Sequence, residues 1–410
     1  MRHRRKTLSI TTEFACSTKA VAEVEGSDLQ APLADGSTTR YVNFDYAASA
    51  PALRSAVTRI QELLPTYSSV HRGAGYASQV TTQAYEDARA VVTEFVGAAD
   101  DQCLVFTRNT TDSLNLLAGC VPGPVVVLDI EHHSNLLPWK RSHVVQAADS
   151  IGETIARVDI ELQRTGAALL AVTGASNVTG EILPIRRLSD LAHSRGARIV
   201  VDGAQLVPHR RVSLAADGID YLAFSGHKVY APFGAGVLIG RRDWLDAAPA
   251  YLAGGGAVRN VAVDRTEWAP APARHEGGSP NVLGAAALAA ACQEIESLGD
   301  AAAQHEAVLT EQLRWGLTDI DGVEVLKIFH DISDAVGVVS FVVEGHRAAD
   351  VARYLSTEHG IGVRDGRFCA HPLLDRLGHG DGAVRASLGL GSSSADVEAL
   401  LSAVAQYLTR

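Results

Sequence analysis

Lysine is nearly missing from this 410-residue chain. Of 36 basic residues only Lys6, Lys19, Lys140, Lys228 and Lys327 are lysines. A general bias toward arginine is a sufficient cause, but arginine stays protonated and cannot replace an amine in covalent chemistry. A lysine in an apolar stretch therefore stands out. Cysteine is also sparse: Cys16, Cys103, Cys120, Cys292 and Cys369 are odd in number and scattered. They form no CxxC pair and no disulfide framework, which fits a reducing cytoplasm. No apolar run reaches the roughly 18 residues that span a bilayer, so no membrane partner is expected. Positive charge is short too, and a net charge of −11 argues against a protein that coats nucleic acid. The basic start Met1–Lys6 is followed by a polar stretch, Thr7 to Glu25, with no apolar core for a secretion signal.

What is present is alternation. Residues 1–40 lack periodicity and read as an N-terminal extension or arm. Beyond Tyr41, short β-branched runs at Val125–Leu128, Ala168–Thr173, Arg198–Val201, Tyr221–Phe224 and Gly236–Ile239 read as buried strands. Amphipathic segments such as Arg186–Ser194 lie between them, which predicts a largely parallel α/β sheet covered on both faces. Gly254–Gly256 and the proline-rich Trp268–Pro272 mark a long loop, followed by an alanine-rich helix over Leu283–Leu298. The order then changes to strand Val336–Val343, helix Ala349–Glu358, strands Ile361–Arg364 and Ala383–Leu388, and helix Ala395–Leu408. The pattern predicts three parts: an arm (1–40), a large domain (41–295) and a small α+β domain (296–410).

Chemistry gathers at predicted strand ends. The run Arg198-Ile-Val-Val-Asp202-Gly-Ala-Gln205 closes a strand with a carboxylate, where open α/β sheets place ligands. A second strand ends in Ser225-Gly-His227-Lys228. Acid and lysine at neighbouring strand ends suit pyridoxal 5'-phosphate: the lysine forms a Schiff base with the aldehyde, and the carboxylate keeps the pyridine nitrogen protonated. Ser225 and His227 are candidate phosphate donors, and Gln205 a donor to the ring hydroxyl. Taken singly, Lys228 reads equally well as a surface lysine and Asp202 as a helix cap. Thr110 and Thr111 open a helix whose free N–H groups form an anion site, although simple capping explains them too. Glu131-His132-His133-Ser134-Asn135 follows another strand. Its paired histidines lack zinc-ligand spacing, so no metal is expected, and a flat imidazole stacked on a cofactor ring is the better use. Gly234-Ala-Gly236 lacks the third glycine of a dinucleotide fingerprint.

Together with Asn43-Phe-Asp45-Tyr-Ala-Ala-Ser49, Ser69-Val-His71-Arg72-Gly73, Ser176-Asn177-Val-Thr-Gly180, Gly277-Gly-Ser279-Pro-Asn281, Val363–Ala370 and Arg385-Ala-Ser-Leu388, these segments resemble the class V aminotransferase group of fold-type I pyridoxal-phosphate enzymes. The likeness is to SufS-like (group II) cysteine desulfurases, or selenocysteine lyases, in family order from Asn43 to Leu388. It implies a mostly parallel seven-stranded sheet with a smaller C-terminal α+β domain. It also implies Lys228 as Schiff-base lysine, Asp202 as pyridinium partner, Gln205 at the ring hydroxyl and His132 stacked on the ring. Thr110, Thr111, Ser225 and His227 match the phosphate cup, and Ser279 the residue that reaches a partner subunit's phosphate. Asn177, Arg385 and Arg364 match the substrate end. A homodimer with shared sites and a sulfur-acceptor protein follow from the same likeness.

Cys369 lies between Arg364 and Arg367 on one side and His371 on the other, and positive charge nearby favours a reactive thiolate. Read from the bare sequence it is also a small hydrophobe packing with Phe368 and Leu373. Its place in the family pattern implies the nucleophile that takes sulfur from cysteine or a cysteine-like amino acid. The chain departs from the family at Arg367-Phe368, where two histidines are usual, at Gly389–Ser394 and at Gly73–Ala77. All three departures fall where substrate is expected. They keep open a β-eliminating C–S lyase, or an epimerase or aminotransferase-type enzyme of specialised metabolism that leaves the thiol unused.

Overall fold

The computed structural model describes residues 18–410; Lys6 and Cys16 lie outside them. Seven strands form the main sheet in the spatial order Gln102–Thr107, Gly236–Arg241, Tyr221–Ser225, Arg198–Asp202, Leu169–Thr173, Val125–Leu128 and Ser142–Val145. All run parallel except Gly236–Arg241, which is antiparallel to both neighbours. The central strands are buried along their whole length, as expected of a sheet covered on both faces. Two flanking strands, Gln102–Thr107 and Ser142–Val145, were not apparent from pattern. Ser142–Val145 is an edge strand with two exposed residues, which breaks the continuous apolar signal.

The covering helices follow their local signals. Ile151–Thr165 starts on a Ser150 cap and stops at Gly166 in the left-handed conformation. Ile185–Ser194 buries Ile185, Leu188 and Ala192 on one face. The small side chains of Val282–Leu298 let it lie close to Arg54–Leu63 and Tyr76–Phe95.

A second, antiparallel sheet has the order Val323–Val325, Val338–Val343, Ala383–Ser387, Arg364–Gly366. Helices Asp300–Thr318, Ala348–His359 and Ser394–Tyr407 share a core with it that includes Leu309, Leu313, Phe341, Leu355, Leu400 and Val404. The expected single strand Ile361–Arg364 is two. Ile361–Gly362 pairs in parallel with Val42–Asn43, and only Arg364–Gly366 joins the sheet. At Gly362 the Tyr41 side chain approaches so closely that a Cβ there would lie 1.8 Å from the Tyr41 hydroxyl. Within the expected loop after Gly256, strands Val258–Val261 and Thr266–Trp268 form a hairpin.

Of the N-terminal segment, residues 18–40 bond both to residues 52–54 and to the C-terminal half. They carry a hairpin of Gln30–Pro32 with Thr38–Arg40, a buried Val24, and backbone bonds from Val21 to Leu390 and from Ala34 to Thr357. The next residues stitch the two sheets together. Ser387 N–H donates to Phe44 C=O at 2.7 Å, Ala47 N–H to Ser387 Oγ at 2.9 Å, and Ala50 N–H to His227 C=O at 2.9 Å.

One close approach couples this fold to its ligand-binding edge. Gly236 passes the cap of helix Thr110–Ala118 so tightly that a Cβ would sit 2.4 Å from Asn109 Cα. Backbone cannot yield as a flexible side chain does, so Gly236→Ala is expected to lose about 2 kcal/mol or more of stability. Chemical denaturation of the two proteins checks this; an unchanged midpoint would show that the strand and the cap move apart freely.

Candidate active site

The carboxyl ends of the parallel strands and the edge of the second sheet enclose a cavity of about 260 Å³. It is lined by Thr110, Thr111, His132, Asn177, Asp202, Gln205, Ser225, His227, Lys228, Arg364, Cys369 and Arg385, with Asp202 and Ser225 at the ends of adjacent strands. Twelve of the thirteen residues singled out from sequence therefore meet in one place. Ser279 does not. It is exposed and lines a separate cavity of about 410 Å³ with Tyr85, Tyr251, His275 and Glu276.

Lys228 follows strand Tyr221–Ser225 in a single helical turn, Gly226–Lys228. Burial pushes its amine down to about 8, against the pull of the nearby Asp202 carboxylate. Burial likewise pushes the Asp202 carboxyl up, opposed by the Ala204 N–H and by Lys228. Asp202 Oδ1 accepts from that N–H at 3.0 Å. Burial, with Lys228 adding its charge, drives His132 down to about 3. His132 Nδ1 accepts the Ser134 N–H at 3.1 Å, so the neutral ring carries its proton on Nε2. His227 is also held neutral, down to about 4, chiefly by burial. The imidazoles are thus flat and uncharged beside an amine.

A polar cup forms at the start of helix Thr110–Ala118. Asn109 caps it by accepting from Asp112 N–H. Ser225 Oγ accepts the Thr110 N–H at 2.8 Å and lies 2.6 Å from Thr110 Oγ1, while Thr111 Oγ1 lies 2.6 Å from Ser134 Oγ. Ser134, Asn109, Ala47 and Ala48 also line the cavity and had no role in the sequence reading. Ser134 follows the histidine pair at the start of its own short helix, a helix-start signal like that at Thr110.

At the other end, Arg385 is buried and Arg364 exposed. The sheet register sets them directly opposite each other on neighbouring strands. Like charges facing across strands repel, so this pairing suits an anion. Phe368 and Cys369 both take left-handed backbone, with φ +50° and +54°. For non-glycine residues this stores about 1–3 kcal/mol each. Two hydrogen bonds hold the pair: Asn177 Nδ2 to Phe368 C=O at 2.7 Å, and His133 N–H to Cys369 C=O at 2.8 Å. Among the described cysteines, Cys103 and Cys292 are buried, Cys120 is half-buried, and Cys369 is exposed.

The aminotransferase class-V family matches residues 42–400. The chain belongs to that family. It is 36% identical over 376 residues to a cysteine desulfurase of Dickeya dadantii, covering 87% of this chain and 89% of that one. A cysteine desulfurase of Haloferax volcanii is 35% identical over 402 residues, 92% of each chain. Among solved structures, an apo cysteine desulfurase of Thermococcus onnurineus superposes with a TM-score of 0.85 at 33% identity, over 95% of this chain and 99% of that one. One from Escherichia coli gives 0.80 at 32% identity, over 90% and 95%.

The family's cofactor is pyridoxal 5'-phosphate, and the residues present fit it. Lys228 is an amine with a depressed proton affinity, Asp202 a buried carboxylate, and the Thr110 helix start a phosphate cup. Two buried polar atoms of cavity-lining residues, His227 Nδ1 and Gln205 Oε1, have no partner among the described residues. Gln205 Nε2 already donates to Ala47 C=O at 2.7 Å, which leaves its second N–H and its oxygen for the ring hydroxyl.

Only a neutral amine attacks an aldehyde. Capture of pyridoxal 5'-phosphate by the cofactor-free protein should accelerate roughly tenfold per pH unit at low pH and level off above about 8. Rapid-mixing absorbance checks this; a rate still climbing at the ordinary lysine value would contradict the depressed amine.

Proposed function

We propose that the protein is a cysteine desulfurase, which converts L-cysteine to L-alanine and keeps the sulfur as a persulfide on Cys369. The observation that carries this reading is the exposed Cys369 thiol lining the same cavity as Lys228 and Asp202. The cysteine desulfurase relatives and structural neighbours support it.

Bound pyridoxal 5'-phosphate supplies the electron sink that makes a proton on the substrate Cα removable. The protein supplies the rest. Lys228, with its amine pushed down to about 8, is the base that takes that proton and the acid that returns it. Asp202, whose charged form Lys228 favours, would hold the proton on the pyridine nitrogen. His132, neutral and flat, would cover the ring without placing a second positive charge beside Lys228. Arg385 and Arg364 would take the substrate carboxylate and so fix the orientation of the substrate Cα.

The Cys369 thiolate then attacks the substrate sulfur. An S–S bond forms as the Cβ–S bond breaks, and the electron pair of that bond ends on Cβ with a proton, giving alanine. The strained loop fixes where the thiolate starts. Exposure lets an acceptor thiol collect the persulfide sulfur, in keeping with a sulfur-acceptor protein in the cytoplasm.

A homodimer completes this reading. Ser279, lying apart from its own subunit's cavity, would serve the phosphate of the partner subunit. Sedimentation should give twice the chain mass of 43.3 kDa, and a monomer at working concentration would remove Ser279 from the site.

Cys369→Ala is expected to abolish sulfide release from L-cysteine in the presence of a thiol reductant. The visible absorption of the lysine-bound cofactor should remain. Wild-type rates of sulfide release by that variant, with pyruvate and ammonia as products, would replace desulfuration with β-elimination.

A further inference from the structure

Arg385 sits on strand Ala383–Ser387 with 4% of its surface exposed. Its Nη1 donates to the Asn177 carbonyl at 2.9 Å and its Nη2 to Asp45 Oδ1 at 3.2 Å. Its Nε is buried and has no partner among the described residues. A guanidinium carries five N–H groups in one plane, so these two bonds fix that plane and leave the Nε edge open. Asp45 is itself held. Its N–H donates to Asn43 Oδ1 at 2.8 Å, its backbone bridges to Ser387, and Phe44 and Ala47 on either side are bonded to Ser387.

We infer that Asp45 is a positioning residue for carboxylate recognition, acting through Arg385. Bidentate binding of a carboxylate depends on the orientation of the guanidinium fork, and Asp45 anchors one arm of it. Asp45 also sustains the charge of the arm. Burial and the facing Arg364 disfavour the protonated Arg385, whereas Asp45 favours it. A second carboxylate so close to a substrate anion is repulsive, but the Asp45 side chain is 28% exposed against 5% for Arg385. Water screens the repulsion more than it weakens the direct contact. Orientation therefore outweighs repulsion. This inference rests on the amino-acid chemistry proposed above only in requiring an α-carboxylate, so it extends to substrates other than cysteine.

The test uses the holoenzyme and the perturbation of its cofactor absorption by two amines, L-alanine and ethylamine. They share the reacting amine and differ in the carboxylate. Asp45→Asn is expected to raise the dissociation constant of L-alanine about tenfold and to leave that of ethylamine unchanged. In an Arg385→Ala background the same substitution should have no further effect on L-alanine. Equal weakening of both amines would reduce Asp45 to general structure. Tighter binding of L-alanine would show that Asp45 competes for Arg385 instead of orienting it. An undiminished effect in the Arg385→Ala background would place its action elsewhere. Asp45→Glu, which keeps the charge, should recover part of the loss, and no recovery would also count against the inference. If wild-type enzyme released no sulfide from L-cysteine while the alanine pattern held, the desulfurase reading would fail and the role of Asp45 would stand.

Discussion

A primary amine held away from bulk water is the constraint around which the site is built. Desolvation disfavours the ammonium form of Lys228, and only an amine that sheds its proton near neutrality can serve as both nucleophile and base. The surroundings are set so that this shift is not undone. Asp202, the nearby carboxylate that would restore the charge, is itself buried at the end of the adjoining strand. His132 and His227, which would add repulsion if protonated, are held neutral. Glu131, just before His132, is buried and pushed up to about 8. Its two oxygens accept from Thr173 N–H at 3.0 Å and Asn135 Nδ2 at 2.7 Å, which fixes the loop that presents His132.

Two architectures divide the work. Cofactor-facing groups come from the ends of main-sheet strands and the turns that follow them, where the chain must leave the sheet and polar side chains cost little to place. The groups proposed to face substrate, Arg364, Arg385 and Cys369, come from the antiparallel sheet and its loops. The joint between the two is the segment from Val42 to Ala50, which is hydrogen-bonded to Ser387 on one side and to the backbone of His227 on the other. A displacement of the second sheet therefore reaches both Arg385 and the turn that carries Lys228.

What could be read from sequence follows from that division. Val125–Leu128, Arg198–Asp202 and Tyr221–Ser225 are buried on both faces, so composition alone marks them as strands. The polar residues after them are then legible as a ligand-binding edge. Cys369 is legible mainly by its place in a family pattern, since the nearby Arg364, Arg367 and His371 point to a thiolate while Phe368 and Leu373 fit a packing residue equally well. The Asp45–Arg385 contact was not legible, because it joins positions 340 apart in the chain. Nor was the division of Ile361–Arg364 between two sheets, because Ile361–Gly362 pairs with Val42–Asn43, far away in the chain. Ser142–Val145 is not legible because its exposed edge positions break the continuous apolar run that marks the central strands.

The departures from the family pattern have a physical consequence in the same corner. Phe368 stands where a histidine is usual. It brings no titratable group to the thiol, and instead lies under Arg385, with its ring centroid 5.1 Å from the guanidinium carbon. A cation over an aromatic face is attracted to it, and the Phe368 carbonyl is tied to Asn177, whose own carbonyl accepts from Arg385. Arg385 and the Cys369 loop are thus closed into one ring of contacts: Arg385, Asn177, Phe368 and back to Arg385. The left-handed backbone at Phe368 and Cys369 is tolerable because this ring, together with the His133 N–H, over-determines it. The site therefore sets the thiol by geometry, and the buried guanidinium and the exposed thiol are parts of the same structure.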